Sequence, residues 1–515
     1  MTRSIPRRGG SALIAVLWTL VLLSVAAFSV LHSTRLEMRV VKNHGDLEQA
    51  RFLALAGIEK AKAMIYLERK NARQRGRDDP EALRDNPQAF RDIVLGRGKF
   101  RVIHQTSEQH GTSDFLYGVR DEESLLNANT ASIEELRKLP GAVEEVAAAI
   151  VDWRDEDRKV TPSGAEEDLY LSLQPPRRIR NGPIESLREM LMIHGVAADN
   201  LLGEDRNANG LLDPEEDDGA RSSPPDDQDG TLDAGWSQYL TVESGVPDEN
   251  VRGKTRINIQ TAGEETLTTL DGISSEIAKA IVAHRGQKEF GSIADLLDVA
   301  APPPPQPQAA AQAQPPPSGP ASGPAPGARE ATPAPSRPPS RRSRRGAAPP
   351  PPAESTPLQA APGTAVPAGG TPAAAGPEAG NQPGGGAKLI STALLKRIAD
   401  DVTVSRETEQ KGVININTAS RDVIFCVPGI SEDLADAIVQ RRRGNPFTSV
   451  ADLLDVPGMT TETFKNVSGR FTTRSATYRV VSEGILEATG ARFRIEAVFR
   501  LGSFSVDTLF HREGM

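Results

Sequence analysis

Apolar positions in this chain fall into three spacings, and each predicts a different element. From Ser11 to Leu31 the run SALIAVLWTLVLLSVAAFSVL carries no charge and is about as long as a bilayer core requires, so it predicts a membrane anchor. Arg3, Arg7 and Arg8 in the leader ahead of it are expected on the cytoplasmic side, which sends everything after Leu31 outward. Beyond the anchor, Phe52, Leu55, Ile58, Ala61 and Ile65 recur at helical spacing, predicting one long helix half in the membrane and half packed on a soluble head. KFRVIH and FLYGV then read as two short strands around a turn near Gly111. At the far end of the chain, Phe493, Ile495, Ala497 and Phe499 alternate with Arg492, Arg494, Glu496, Val498 and Arg500, the period of a strand with one buried face. YRVV and a turn at Gly490 complete a hairpin. Edge strands need partners, so the terminal strands are expected to join the first pair in one sheet against the helix. Everything between them is then an insertion.

The insertion repeats itself. LLNANTASIEELRKLPGAVEEVAAAIVDWR, RINIQTAGEETLTTLDGISSEIAKAIVAHR and VININTASRDVIFCVPGISEDLADAIVQRR align without gaps. Each puts a threonine (Thr130, Thr261, Thr418) near a helix N-cap and a glycine (Gly141, Gly272, Gly429) in a short turn before a second helix, so each reads as a helix-hairpin-helix unit. Between the second and third units, residues 301–387 are almost entirely Pro, Ala, Gly, Ser and Gln, a composition that predicts a disordered linker spanning roughly 50 Å. The Arg cluster inside it, Arg337 to Arg345, reads as a solvated charge run. The expected organisation is a leader at 1–10, a transmembrane half-helix at 11–31, and helix and first strands at 32–124. An inserted α-domain with two hairpin units follows at 125–300, then the linker, a third hairpin unit at 388–471, and the closing strands at 472–515. The fold class is α+β.

Composition narrows the function. The chain has 515 residues, 40 Pro, 45 Gly and 4% aromatic residues, which fits several cores plus an unstructured fraction. A net charge of −9 argues against a general nucleic-acid binder. The single Cys426 excludes an internal disulfide and reads as a small core residue.

Two acidic stretches point to a cation. DRNANGLLDPEE sets Asp205, Asn207 and Asn209 at alternate positions, follows them with Gly210, and places Asp213 and Glu216 at the spacing of an EF-hand loop. In that pattern Leu211 offers its backbone carbonyl and Glu216 a bidentate carboxylate. These are hard oxygen donors, suited to a structural Ca²⁺. In DDQDGTLDAGW, Asp226, Asp227, Asp229 and Asp233 crowd around Gly230, but in the same register the end positions fall on Pro225 and Trp236. This group is expected to form a second metal site only with carboxylates from elsewhere, such as Glu166, Glu167 or Asp168. Crowded carboxylates without a cation would repel one another.

DNA binding by the hairpins is disfavoured locally. The phosphate-binding form presents amides of a Gly-x-Gly turn, and here Val143, Ser274 and Ser431 stand at the second glycine, followed by Glu144, Glu145, Glu276, Glu432 and Asp433. Only Arg441, Arg442 and Arg443 favour phosphate. The histidines lack metal-ligand spacing, and neither a phosphate loop nor a nucleophile elbow is present, so no enzyme is expected.

Arg-Arg-Gly-Gly directly before an apolar helix resembles the leader of type IV prepilins and pseudopilins. With ARFLALAGIEKA, the NANTAS and NINTAS repeats, GAEEDLY and the final YRVVSEG, the chain resembles the K-type minor pseudopilins of the general secretion pathway. That resemblance implies cleavage by a prepilin peptidase between Gly10 and Ser11, methylation of the new N-terminus, and a pilin-like fold with a large inserted domain that binds calcium. It also explains Ala15, where most pilin-like subunits carry a glutamate. An intramembrane carboxylate costs at least about 2.5 kcal/mol unless paired, and a subunit at the fibre tip has no amine above it to pair with. The implied setting is the inner membrane, with the bulk in the periplasm. The implied partners are the I-type and J-type minor pseudopilins, with the H-type and the major pseudopilin as further candidates, and no nucleic acid. The implied role is to nucleate the type II secretion pseudopilus at its tip for export of folded proteins. The hairpins taken alone suggest the alternative, a membrane-anchored DNA-binding component of a competence pilus.

Overall fold

The computed structural model describes residues 10–104, 116–207, 212–213, 215–221, 226, 228, 230–301, 387–502 and 505–514. Most of the leader, the turn expected at Gly111 and the Pro-rich linker lie outside them. The first helix, α1 (Gly10–Arg75), runs unbroken for 66 residues. Its N-terminal part is long and apolar enough to cross a membrane and is wholly exposed, as an anchor must be.

Further along, α1 turns small residues inward. Ala50, Ala54 and Ala61 are fully buried, and Leu53, Ile58 and Ile65 interleave with them. The expected stripe is misplaced at its start, since Phe52 is 61% exposed and Leu53 and Ala54 are buried instead. The close approach of helix and sheet sets this phase. A Cβ on Gly57 would lie 2.1 Å from Ser482 Oγ, and one on Gly484 would lie 2.0 Å from the Ala50 carbonyl oxygen, so glycine faces the sheet from the helix and glycine answers from the sheet.

The sheet joins both ends of the chain as expected. β1 (Ile93–Leu95) and β2 (Gly98–Ile103) form a hairpin, β3 (Arg120–Asp121) is a short strand, and β4 (Thr477–Leu486), β5 (Ala491–Leu501) and β6 (Val506–Glu513) close the chain. Their order is β1-β2-β4-β5-β6, with β3 also on β4 and Val481 opposite Ile103. Among the described residues, the 116–119 part of FLYGV does not form the second strand of the first hairpin. Its Leu116 makes only a bridge to His104, and Ile93–Leu95 pairs with β2 instead. On β5, Ile495, Ala497 and Phe499 pack with Ile58, Ala61 and Ile65 of α1. The opposite face is also covered: Val498 is 1% exposed, and Arg479 reaches Glu122 at 2.9 Å. The result is an α+β, pilin-like fold whose sheet is buried on both sides at its central strands and exposed at β1 and β6.

The insertion holds three like-built units around one continuous core. Each opens and closes with a two-residue parallel ladder: Leu126–Asn127 with Leu240–Thr241, Ile257–Asn258 with Val402–Thr403, and Ile414–Asn415 with Phe471–Thr472. Residues 388–403, grouped by the sequence with the third unit, therefore complete the second. The linker leaves and re-enters within that unit, between Ala301 and Ala387, whose backbones hydrogen bond at 3.0 Å.

Candidate functional site

Each unit is held by the same three side chains. The first asparagine (Asn127, Asn258, Asn415) accepts the N–H two residues on, at 2.8, 2.8 and 3.0 Å. The residue at that position (Asn129, Gln260, Asn417) donates to the Ile184, Phe290 and Phe447 carbonyls. The arginine near the end of the second helix (Arg154, Arg285, Arg442) donates to two carbonyls ahead of the first: Ala128 and Ala131, Ile259 and Ala262, Ile416 and Ala419. The expected glycines sit in the hairpin turns with φ of +68°, +82° and +91°. The caps of the first helices fall two residues past the threonines, on Ser132, Gly263 and Ser420. Arg442, counted from the sequence as a cation free for phosphate, is buried and spent on this brace. Arg441 stacks over Phe447 at 5.3 Å.

Cys426 lies in the shared core as expected, with burial pushing its thiol up to about 12. Lys138 of the first unit donates to the Phe425 carbonyl at 2.7 Å and lies over the Phe425 ring, which ties the first unit to the third.

The loop from Asp205 is partly described; Asn209, Gly210 and Leu211 fall outside. Asp205 and Glu216 are buried. The Glu216 carboxylate turns into the loop, accepting the Asn207 and Asp213 N–H groups at 3.2 Å each, and Asn207 donates to Asp213 at 2.9 Å. Burial, opposed by these amides and reinforced by Asp205 and Asp213, raises the Glu216 pKa. Asn207, Asp213 and Glu216 are thus hydrogen bonded together, and the charge of buried Asp205 acts on Glu216. The loop follows a single helical turn, Ala198–Leu202, and runs into turns rather than a second helix, so it is not a helix-flanked EF-hand.

The second acidic group has other work among the described residues. Asp226 caps a turn, accepting the Asp218, Gly219 and Gln228 N–H groups at 2.7, 2.6 and 2.8 Å, and Asp233 accepts the Gly235 N–H at 2.9 Å. Asp227 and Asp229 lie outside the described residues. Glu166 meets Asp155 and Asp157 instead, and one carboxylate oxygen from each of the three lies within 4.8 Å of the others.

That trio is short of hydrogen-bond donors. Glu166 is 5% exposed; its Oε2 accepts the Glu167 N–H at 3.1 Å, while its Oε1 and Asp155 Oδ1 are buried without a partner. Burial raises the pKa of both groups, and neighbouring carboxylates, including the fully buried Asp152, add to it. Asp152 is pinned by the Thr161 N–H at 3.1 Å, with Gly164 so close that a Cβ would sit 2.1 Å from Asp152 Oδ2. Orphaned carboxylate oxygens facing one another are the donor set a hard cation satisfies. The sequence signal for this trio was the alternation Asp155, Asp157 just ahead of GAEED.

A second buried acidic cluster sits where the insertion leaves and rejoins the sheet. Glu123 accepts the Gly245, Ala476 and Thr477 N–H groups at 2.9, 3.1 and 3.0 Å. Asp121 accepts from Asn415 at 3.2 Å and from the Thr418 and Ser475 hydroxyls. No pattern in the sequence marked these residues, because their partners lie hundreds of positions away.

Residues 112–202 match the family model described as type II secretion system (T2SS), protein K, and residues 253–304 and 409–472 match the helix-hairpin-helix motif. The chain is 26% identical over 199 residues to a type II secretion system protein K of Pectobacterium carotovorum subsp. carotovorum, covering 38% of this chain and 60% of that protein. It is 30% identical over 69 residues to a protein K of Klebsiella pneumoniae, covering 13% of this chain and 21% of that protein. The matches thus span less than two thirds of either relative. Among solved structures, the crystal structure of the GspK-GspI-GspJ complex from the enterotoxigenic Escherichia coli type 2 secretion system aligns over 92% of this chain and 99% of that one, at 13% identity and a TM-score of 0.40. The resemblance to type II secretion system protein K drawn from the motifs holds.

Proposed function

We propose that this chain, similar to type II secretion system protein K, is a minor pseudopilin that sits at the tip of the secretion pseudopilus and nucleates its assembly. The observation that carries the reading is where the protein K match falls. It covers the first part of a domain inserted between β2 and β4 of a pilin-like sheet, so a fibre-forming helix and an enlarged head coexist in one chain. A tip subunit has room for such a head, because nothing stacks above it. Ala15 agrees, since a subunit with no neighbour above has no amine for an intramembrane glutamate to pair with.

On this reading residues 11–31 hold the chain in the inner membrane, the bulk lies in the periplasm, and a prepilin peptidase cuts after Gly10 before Ser11 is methylated. The partners are the I-type and J-type minor pseudopilins, with the H-type and the major pseudopilin behind them. The role is assembly, without a catalytic step. Calcium is its structural cofactor. Asp155, Asp157 and Glu166 would hold one ion, and Asp205, Asn207, Asp213 and Glu216, with Asn209 and the Leu211 carbonyl, would hold another. In each place the ion would supply positive charge to carboxylates that otherwise repel.

Co-expression of the tagged full chain with I-type and J-type subunits tests the assembly role. Joint purification and loss of secretion on deleting the chain are expected. A mature N-terminus at Met1 or beyond Leu31, or failure to retain either subunit, would overturn the reading.

A further inference from the structure

We infer that an arginine-lined cleft between the inserted domain and the end of the sheet binds an acidic peptide segment of a partner protein. The cleft, of about 710 Å³, is lined by Arg188 and Arg206 from the insertion and by Arg492, Arg494 and Arg512 from β5 and β6, with Phe493 between them. Two carboxylates, Asp213 and Glu483, share the lining.

The charges do not cancel. Glu483 is 1% exposed and already shared by Arg101 at 2.6 Å, Arg494 at 3.5 Å and Arg492 at 3.9 Å, so one buried acid serves three guanidinium groups. Behind the lining, Glu496 faces Arg512 at 2.9 Å and is shared with Arg479. Within the lining, five arginines face two carboxylates, and Arg512 is answered from behind by Glu496. Arg188, Arg206 and Arg492 are exposed there, and Arg188 is braced on the Arg206 carbonyl at 3.3 Å.

Size and place select the occupant. The volume exceeds what a lone phosphate fills, and Phe493 gives the floor an apolar strip between the guanidiniums, which suits a short chain segment carrying an apolar side chain between carboxylates. A lipid headgroup does not fit the location. The cleft lies beside Glu513, which pairs with Arg51 at 2.5 Å, and Arg51 lies about 30 Å along α1 from the end of the apolar run at Leu31. That is several Debye lengths from a bilayer surface at physiological salt.

The test uses the full chain in detergent micelles and a fluorescent Asp-Glu-Leu-Glu-Asp peptide, followed by anisotropy. Saturable binding is expected, weakening steeply between about 50 and about 300 mM NaCl. Arg188→Glu combined with Arg492→Glu should weaken it by roughly tenfold or more and should instead create affinity for Lys-Arg-Leu-Lys-Arg. Both residues are exposed, and an unchanged melting temperature verifies the fold. Equal binding of Asn-Gln-Leu-Gln-Asn, unchanged affinity in the double variant, or binding of inorganic pyrophosphate with no binding of the peptide would each overturn the inference.

Discussion

Buried Glu123 accepts the backbone N–H of Thr477 at 3.0 Å, so the residue that opens the insertion is fastened to the strand that follows it. Burial, with Asp121 beside it, holds the Glu123 carboxyl well above the usual carboxylate range, and burial raises Asp121 as well. An acid whose folded pKa exceeds its unfolded value binds more protons when folded. Its contribution therefore falls as pH rises from about 4 through the folded pKa. Glu122 opposes this: burial would raise it, but Arg479 and Arg120 bring it below its ordinary value. Melting temperature is expected to rise as pH falls from neutral toward about 5.5, and Glu123→Gln should flatten that slope while lowering stability throughout, since an amide turns an N–H₂ toward backbone donors. A variant with the parental slope would remove Glu123 from the cause.

The arginine brace of the hairpin units gives a second expectation. Arg442 Nη1 donates to the Ile416 carbonyl at 2.9 Å and the Ala419 carbonyl at 2.5 Å. Arg442→Ala leaves both without that donor inside the core, at about 1 to 3 kcal/mol for each unsatisfied group. Arg442→Lys, with one point donor in place of a planar fork, should recover only part of the loss. Thermal unfolding of the two variants orders them. Equal melting temperatures for the parent chain and the Arg442→Ala variant would mean that water replaces the guanidinium.

Much of this architecture was legible because it rests on local periodicity. The anchor, the alternation of β5 and the three repeats each announce themselves within about thirty residues. What escaped depends on contacts between distant segments. β6 lacks a buried period because its side chains are mostly exposed, and the start of the buried stripe on α1 is set by Gly57 meeting Ser482 rather than by the apolar residues themselves. Asp205 to Glu216 could be proposed as a site because its ligands fall at fixed spacing within one short stretch. The trio at Asp155, Asp157 and Glu166 needed a fold to bring a helix end to the next helix start.

Those two acidic places respond differently to substitution if both hold calcium. Glu166 Oε1 and Asp155 Oδ1 have no internal donor, whereas the Glu216 carboxylate accepts two loop amides without an ion. Titrating the chelated chain with Ca²⁺ by calorimetry should give heat and a higher melting temperature, since a ligand of the folded form alone stabilises by mass action. Glu166→Gln should reduce the calcium-dependent gain in melting temperature and, by removing a repelling charge, raise the melting temperature of the chelated chain. Glu216→Gln should lower the latter. A chain with no calcium heat and no shift on chelation would leave both places as solvated acidic turns.

Helix and sheet meet through glycine, and that contact has a direct test. A methyl on Gly484 would sit 2.0 Å from the Ala50 carbonyl oxygen and 2.6 Å from the Ala54 nitrogen, both backbone atoms that cannot rotate aside. Gly484→Ala must push α1 off the sheet, costing about 1 to 3 kcal/mol or more, as overpacking does. Gly444→Ala is the control, because nothing lies within 4 Å of its added Cβ. Circular dichroism melts should separate the two variants; similar losses in both would mean that the helix slides without penalty.

The closed stem around the Pro-rich segment makes the last expectation. Ala301 N–H donates to the Ala387 carbonyl at 3.0 Å, and Leu389 N–H donates to the Val299 carbonyl at 2.9 Å, so the second unit is stitched on both sides of the excursion. Replacing residues 303–385 with a short Gly-rich turn leaves that stem and the ladder of Ile257–Asn258 with Val402–Thr403 in place. Shortening a connection by about four doublings of length removes roughly 2 kcal/mol of closure entropy. The shortened chain should therefore melt no lower than the parent, and retention of I-type and J-type subunits by it would separate assembly from whatever the segment does. A melting temperature several degrees lower would mean that the segment packs on the unit it interrupts.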